Sequence, residues 1–134
     1  MRRENLEIIV FEKMDDFRFE KLEIWKDGIE VSDLLFNICD LADQKRVYKF
    51  AEQLRSAAMS ITNNIAEGSG SISDRDFSNF LNISRRSVFE CANILYIFER
   101  RGIIESAERK KLYQMLLVLS RKITSFRKTL NAKT

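Results

Sequence analysis

Histidine and proline are both absent from this 134-residue sequence, and glycine occurs only four times. The missing histidine removes the commonest general base, the commonest metal ligand and every histidine-based catalytic triad. A chain without proline and with little glycine is poorly suited to many turns, so few, long elements are expected, mostly helices. Cysteine is scarce as well. Cys39 and Cys91 share no CxxC spacing and both lie among apolar residues, which predicts buried free thiols rather than a disulfide or a metal site. No run of about 18 apolar residues exists, so no membrane-spanning helix is expected. The N-terminal MRRENLEIIVFEK carries two early arginines, but Glu4, Glu7 and Glu12 interrupt its apolar part. That pattern lacks the hydrophobic region of a secretory signal, and a cytoplasmic protein is expected. Nothing calls for a metal or a cofactor.

What is present is a core and an uneven charge. Apolar residues make up 45% of the chain, enough for one folded domain. The net charge of +3 hides an asymmetry: residues 1–45 hold 7 Lys/Arg against 12 Asp/Glu, whereas residues 100–134 hold 10 against 2. An acidic first part and a basic last part can attract each other within a bundle or between subunits. They can also leave one end basic enough for a polyanion.

Four amphipathic segments follow a stretch, residues 1–18, that stands apart as an arm. From Phe19 to about Ala42, two apolar stripes share one helix, one through Trp25, Ile29 and Phe36, the other through Ile24, Val31, Leu35 and Ile38. Two stripes suggest burial on two sides. A second helix is expected from about Lys45 to Glu67, with Asn64 in its apolar seam and Gly68 as the residue that ends it. Ser73 is the expected N-cap of a third helix, with Asp74 and Asp76 in its first turn and Gly102 at its close. The middles of helices two and three are small (Ala57, Ala58, Ser60; Ser84, Ser87, Cys91), so the two are expected to pack closely. A fourth helix starts near Ser106, its seam running from Leu112 to Leu130. The expected architecture is all-α: residues 19–134 as an antiparallel up-down-up-down four-helix bundle.

The phrases FEKLEIWKDG, FAEQLRSAAMSITNNIAEGSG and DFSNFLNISRRSVFEC resemble a family of small bacterial four-helix bundle proteins, the 23S rRNA intervening-sequence proteins. The resemblance covers about residues 19–130. It departs at Arg86, where the family pattern has glycine, and residues 1–18 lie outside it. The resemblance implies a bundle that assembles into a ring-like homo-oligomer, a pentamer. It also implies kinship in fold with the accessory protein of diversity-generating retroelements, which works with a reverse transcriptase and nucleic acid. For most members no activity is established.

Two groups of residues are candidates for function. Arg55, Asn64, Glu67 and Glu90 match polar positions of the family pattern. Arg55 and Asn64 are nine residues apart, about half a turn out of phase, so they are expected to reach different neighbours. Asn64 is expected to bond backbone or a polar residue of helix three, and Glu67 to pair with Arg55 or Arg85 or to cap helix three. The set lacks a nucleophile–base pair, which favours structure over catalysis. The second group is basic: Arg100, Arg101, Arg109, Lys110, Lys111, Arg121, Lys122, Arg127 and Lys128. It either solvates helix surfaces or, repeated around an oligomer, binds RNA or DNA. Tyr113 is the only aromatic read as interleaved with it, so base stacking is not signalled. The loop Gly68-Ser69-Gly70-Ser71 precedes a helix but lacks the Lys-Ser/Thr of a phosphate loop. A non-enzymatic nucleic-acid accessory protein is the leading expectation, and a protein-interaction scaffold the alternative.

Overall fold

The computed structural model describes residues 16–132. A short 3-10 turn at Arg18–Lys21 leads into four helices: α1 (Glu23–Gln44), α2 (Tyr48–Ser69), α3 (Asp74–Arg100) and α4 (Ser106–Ala132). There is no strand among the described residues. Most of the N-terminal arm, residues 1–15, lies outside them. Its last part, with the 3-10 turn, packs on the bundle through aromatic contacts. Phe17 stacks on Phe19, Phe19 meets Trp25 with ring centroids 5.0 Å apart, and the Arg18 guanidinium lies over Phe77.

Each helix packs on the next in sequence, and α1 also meets α4, more sparsely. The core is continuous: Leu35 and Ile38 from α1, Leu54 and Ile61 from α2, Phe77, Leu81 and Leu95 from α3, and Leu112, Leu116 and Ile123 from α4 are all buried. Each such side chain contributes about 1.5–3 kcal/mol by leaving water. On α1, Ile24, Val31, Leu35 and Ile38 form the buried stripe, while Trp25 and Phe36 are half-buried and Ile29 is exposed. Both cysteines are buried free thiols, as expected.

The expected close approach of α2 and α3 is present, made by small residues. The Ser84 hydroxyl donates to the carbonyl of Ile61 at 2.7 Å, and the Ser60 and Ser87 hydroxyls meet at 2.7 Å. Gly28 of α1 likewise sits against Thr62 and Ile61 of α2.

Helix boundaries differ from expectation at α2. It starts at Tyr48, not Lys45, because Arg46 adopts a left-handed φ of 63° and breaks the chain away from α1. It continues through Gly68 to Ser69. Gly68 is a packing residue rather than a helix terminator, since its missing side chain admits Phe80 and Phe77. Ser73 caps α3 as expected, accepting the Asp76 amide at 3.1 Å. After α3 ends at Arg100, Gly102 turns the chain at φ 73°, a conformation natural to glycine.

Candidate nucleic-acid interface

The nine basic candidates separate into committed and free groups. Lys122 on α4 donates to Glu23 and Asp27 of α1, at 2.8 Å each. Those hydrogen bonds, Asp27 first, raise its pKa above the ordinary lysine value. The acidic first part and the basic last part of the chain thus attract each other inside one bundle. Lys122 also borders the groove of about 450 Å³ between α1 and α4, which Leu22, Ile24 and Phe126 line. Arg127 donates a bifurcated bond from Nε to the carbonyl and hydroxyl of Ser78 on α3, at 3.0 and 3.2 Å. Arg109, well covered by its neighbours, pairs with Glu99 at 3.4 Å and lies over the Tyr96 ring, 4.3 Å from its centroid. Arg101 sits over Phe50. These four tie helices and turns together.

Arg100, Lys110, Lys111, Arg121 and Lys128 are exposed, and among the described residues no ion pair or side-chain hydrogen bond engages them. Three of them share a face. Lys110, Arg121 and Lys128 are separated by 11 and 7 residues, whole numbers of helical turns to within about 20°, and so line the outer side of α4. Lys111 lies about 100° round the helix from Lys110, on the flank nearer Lys122. Beyond Glu108 the sequence of α4 contains no carboxylate, so this outer line is of one sign.

The structure scatters the polar group of Arg55, Asn64, Glu67 and Glu90. Arg55 reaches back to α1, at 2.8 Å from Asp43 and 3.6 Å from Asp40, and also meets Glu52. The Asp43 hydrogen bond is the main reason its pKa rises. Asn64 donates to the Ser60 carbonyl and hydroxyl of its own helix, at 2.8 and 2.9 Å. It is half-buried rather than sealed in a seam, and its hydrogen-bonded link to α3 runs through Ser60 and Ser87. Glu90 accepts from Gln53 at 2.8 Å. Glu67 is exposed and pairs with neither Arg55 nor Arg85; its carboxylate has no partner among the described residues. No group of His, Cys, Asp and Glu able to hold a metal forms among the described residues.

The model of the 23S rRNA-intervening sequence protein family matches residues 20–125. The chain belongs to that family. A solved structure from Bacteroides thetaiotaomicron, described as a protein with unknown function from the S23 ribosomal protein family, is similar in fold. It superposes with a TM-score of 0.74 at 20% identity, over 78% of this chain and 98% of that one. No curated protein matches the sequence. In this member of the intervening-sequence family, Arg55 and Glu90 tie neighbouring helices, whereas Asn64 bonds within its own helix.

Sequence reasoning missed two features. One is the hydrogen bonding of Ser60, Ser84 and Ser87, residues that the sequence placed at the α2–α3 contact only as small ones. The other is an exposed aromatic pair on α3, Phe89 and Tyr96, with fractional exposures of 54% and 42%. Their spacing of seven residues, with Arg85 four before Phe89, is the signal that could have revealed the pair.

Proposed function

We propose that this intervening-sequence family member is a non-enzymatic, cytoplasmic accessory protein that binds RNA or DNA through the outer surface of α3 and α4. Each copy is an antiparallel up-down-up-down bundle, and copies assemble into a ring-like homo-oligomer, pentameric as the family resemblance implies. A reverse transcriptase of a diversity-generating retroelement is the partner that the same resemblance suggests. The observation that carries the nucleic-acid function is the single-sign line of Lys110, Arg121 and Lys128 on a helix with no carboxylate beyond Glu108. Unpaired cations of this kind displace counterions from phosphates, and a ring multiplies them.

A scaffold without nucleic acid is the second reading. It is favoured by the commitment of Arg101, Arg109, Lys122 and Arg127 to intramolecular contacts, which removes four of nine candidate cations. Fluorescence anisotropy with labelled RNA and DNA at low and high salt separates the two. Reversal of Lys110, Lys111, Arg121 and Lys128 to glutamate abolishes binding in the first reading and leaves helicity intact. Lys122 is excluded from this variant, because a glutamate there would face Glu23 and Asp27. Absence of wild-type binding at low salt gives the scaffold the lead.

A further inference from the structure

We infer that the outer α3/α4 face takes nucleic acid as a single strand, stacking bases on Phe89 and Tyr96 while the surrounding cations hold the phosphates. The inference rests on the nucleic-acid function proposed above and names its substrate class.

Contacts place the rings on one face. Phe89 of α3 lines a cavity of about 170 Å³ together with Tyr113, Leu117 and Ser120 of α4. Tyr96 meets Tyr113 edge-on, with centroids 6.1 Å apart. Phe89 and Tyr96 are seven residues apart on one helix, so they project on the same side about 10.5 Å apart along its axis. Rings this exposed in a charged neighbourhood are not core. A guanidinium lies over each ring, Arg85 on Phe89 and Arg109 on Tyr96, and the ring surface still open to solvent is what an unpaired base stacks on.

Helical spacing sets cations around them. Arg85 precedes Phe89 by four residues and Arg86 by three, while Arg100 follows Tyr96 by four. On α4, Lys110 precedes Tyr113 by three, Arg121 follows Leu117 by four, and Lys128 continues that line. The Arg85 guanidinium lies over Phe89 at 4.7 Å, and its buried Nε has no hydrogen-bond partner among the described residues. Among those residues no ion pair engages it, which leaves it able to turn onto a phosphate oxygen. The two carboxylates of α3 in this stretch are both occupied: Glu90 turns to Gln53 of α2, and Glu99 pairs with Arg109. Exposed aromatics, unpaired cations and occupied carboxylates fit a polyanion whose bases are free. A duplex hides its base faces, and an acidic protein surface would use the cations but gain little from two flat rings.

The test compares wild type with Phe89→Leu, Tyr96→Leu and the double variant. The probes are a labelled single-stranded RNA, a single-stranded DNA and the same DNA strand in a duplex. Leucine keeps the apolar contact with α4 and removes the ring, and circular dichroism checks that helicity is retained. Wild type is expected to bind both single strands more tightly than the duplex. The double variant is expected to lose about 10- to 100-fold in single-strand affinity, with duplex binding unchanged. If wild type binds and the leucine variants bind single strands equally well, the stacking inference is overturned and the nucleic-acid function stands. An equal loss on single strand and duplex also overturns stacking. If the leucine variants shift the mass in light scattering without changing binding, the face joins copies of the chain and the inference fails. If wild type binds none of the three probes at low salt, the proposed function falls, and the inference with it.

Discussion

Gly68 of α2 faces Phe80 of α3 so closely that a Cβ built on the glycine would stand 2.6 Å from the Phe80 Cβ and 2.9 Å from Phe77 Cδ1. The Phe80 Cβ is fixed to the backbone of α3, so a side chain at 68 can be admitted only if the helices separate. Gly68→Ala gains about 1 kcal/mol of helix propensity but overpacks this α2–α3 contact, at about 1–3 kcal/mol. Net destabilisation of about 1–2 kcal/mol is expected, read as a lower urea midpoint. Gly70→Ala is the control. Its Cβ would meet only the Glu67 carbonyl, at 3.4 Å, and the backbone there is not left-handed, so a change within about 0.5 kcal/mol is expected. Equal effects at the two sites would show that the α2–α3 approach is not limiting.

The serine seam makes a second prediction at the same interface. Ser84→Val loses the 2.7 Å bond to the Ile61 carbonyl and inserts bulk at a fully buried site. A loss of about 2–4 kcal/mol is expected. Asn64→Leu removes only bonds within its own helix from a half-buried position, and less than about 1 kcal/mol is expected. A larger effect at Asn64 than at Ser84, in thermal or urea unfolding, would return the specifying role to Asn64.

The four helices were legible because Phe77, Leu81, Val88 and Leu95, and likewise Leu112, Leu116 and Ile123, repeat at helical spacing and meet no proline. Close α2–α3 packing was legible in the small residues of both. The role of Gly68 was not, because glycine near the end of an apolar stripe reads equally as terminator or as packing surface. Nor were the α1 partners of Arg55: Asp40 and Asp43 are brought to it by the packing of α1 on α2, whereas Glu52 lies three residues before it on its own helix. The basic set was legible as composition. Its division into tied cations and free ones depends on which helix each faces, which spacing along one helix does not reveal.

Burial governs both thiols. Desolvation pushes Cys39 up to about 11 and raises Cys91 further, so the fold holds each thiol neutral. In the unfolded chain thiols ionise near about 8.5. A raised folded-state pKa contributes stability that is fully present below the unfolded value and is lost as pH rises through the folded one. The urea midpoint is therefore expected to hold to about pH 8 and to decline between about pH 8.5 and 11. In Cys39→Ala/Cys91→Ala that part of the decline should disappear. Iodoacetamide at pH 8 should label neither thiol in the native protein and both in urea, followed by mass spectrometry. Rapid native labelling of Cys39 would show that its site opens to solvent.

The last prediction concerns the second stripe of α1. Ser32 of α1 points at α2, its hydroxyl near the Ala58 carbonyl at 3.5 Å. Trp25, Ile29 and Phe36 lie seven and three residues before it and four after it, so they flank the same helix junction. On α2, Met59 is three residues before Thr62, the residue that packs on Gly28, and is 49% exposed. Half-covered Trp25 and Phe36 beside exposed Ile29 and Met59 form an apolar strip on the α1/α2 side, away from the basic face of α4. Burial of that strip between copies would leave the cations outward, so self-association and polyanion binding use different surfaces. Ile29→Glu/Met59→Glu puts two charges into the strip without touching the buried core. Static light scattering is expected to give a multiple of 15.8 kDa for wild type and the single-chain mass for the variant, with helicity retained. The variant should still bind RNA, but more weakly and with a shallower salt dependence, because one copy presents fewer cations to one strand than a ring does. A wild type that scatters as a single chain at micromolar concentration would remove the ring. A variant that keeps the oligomer would move the subunit contact off the α1/α2 strip.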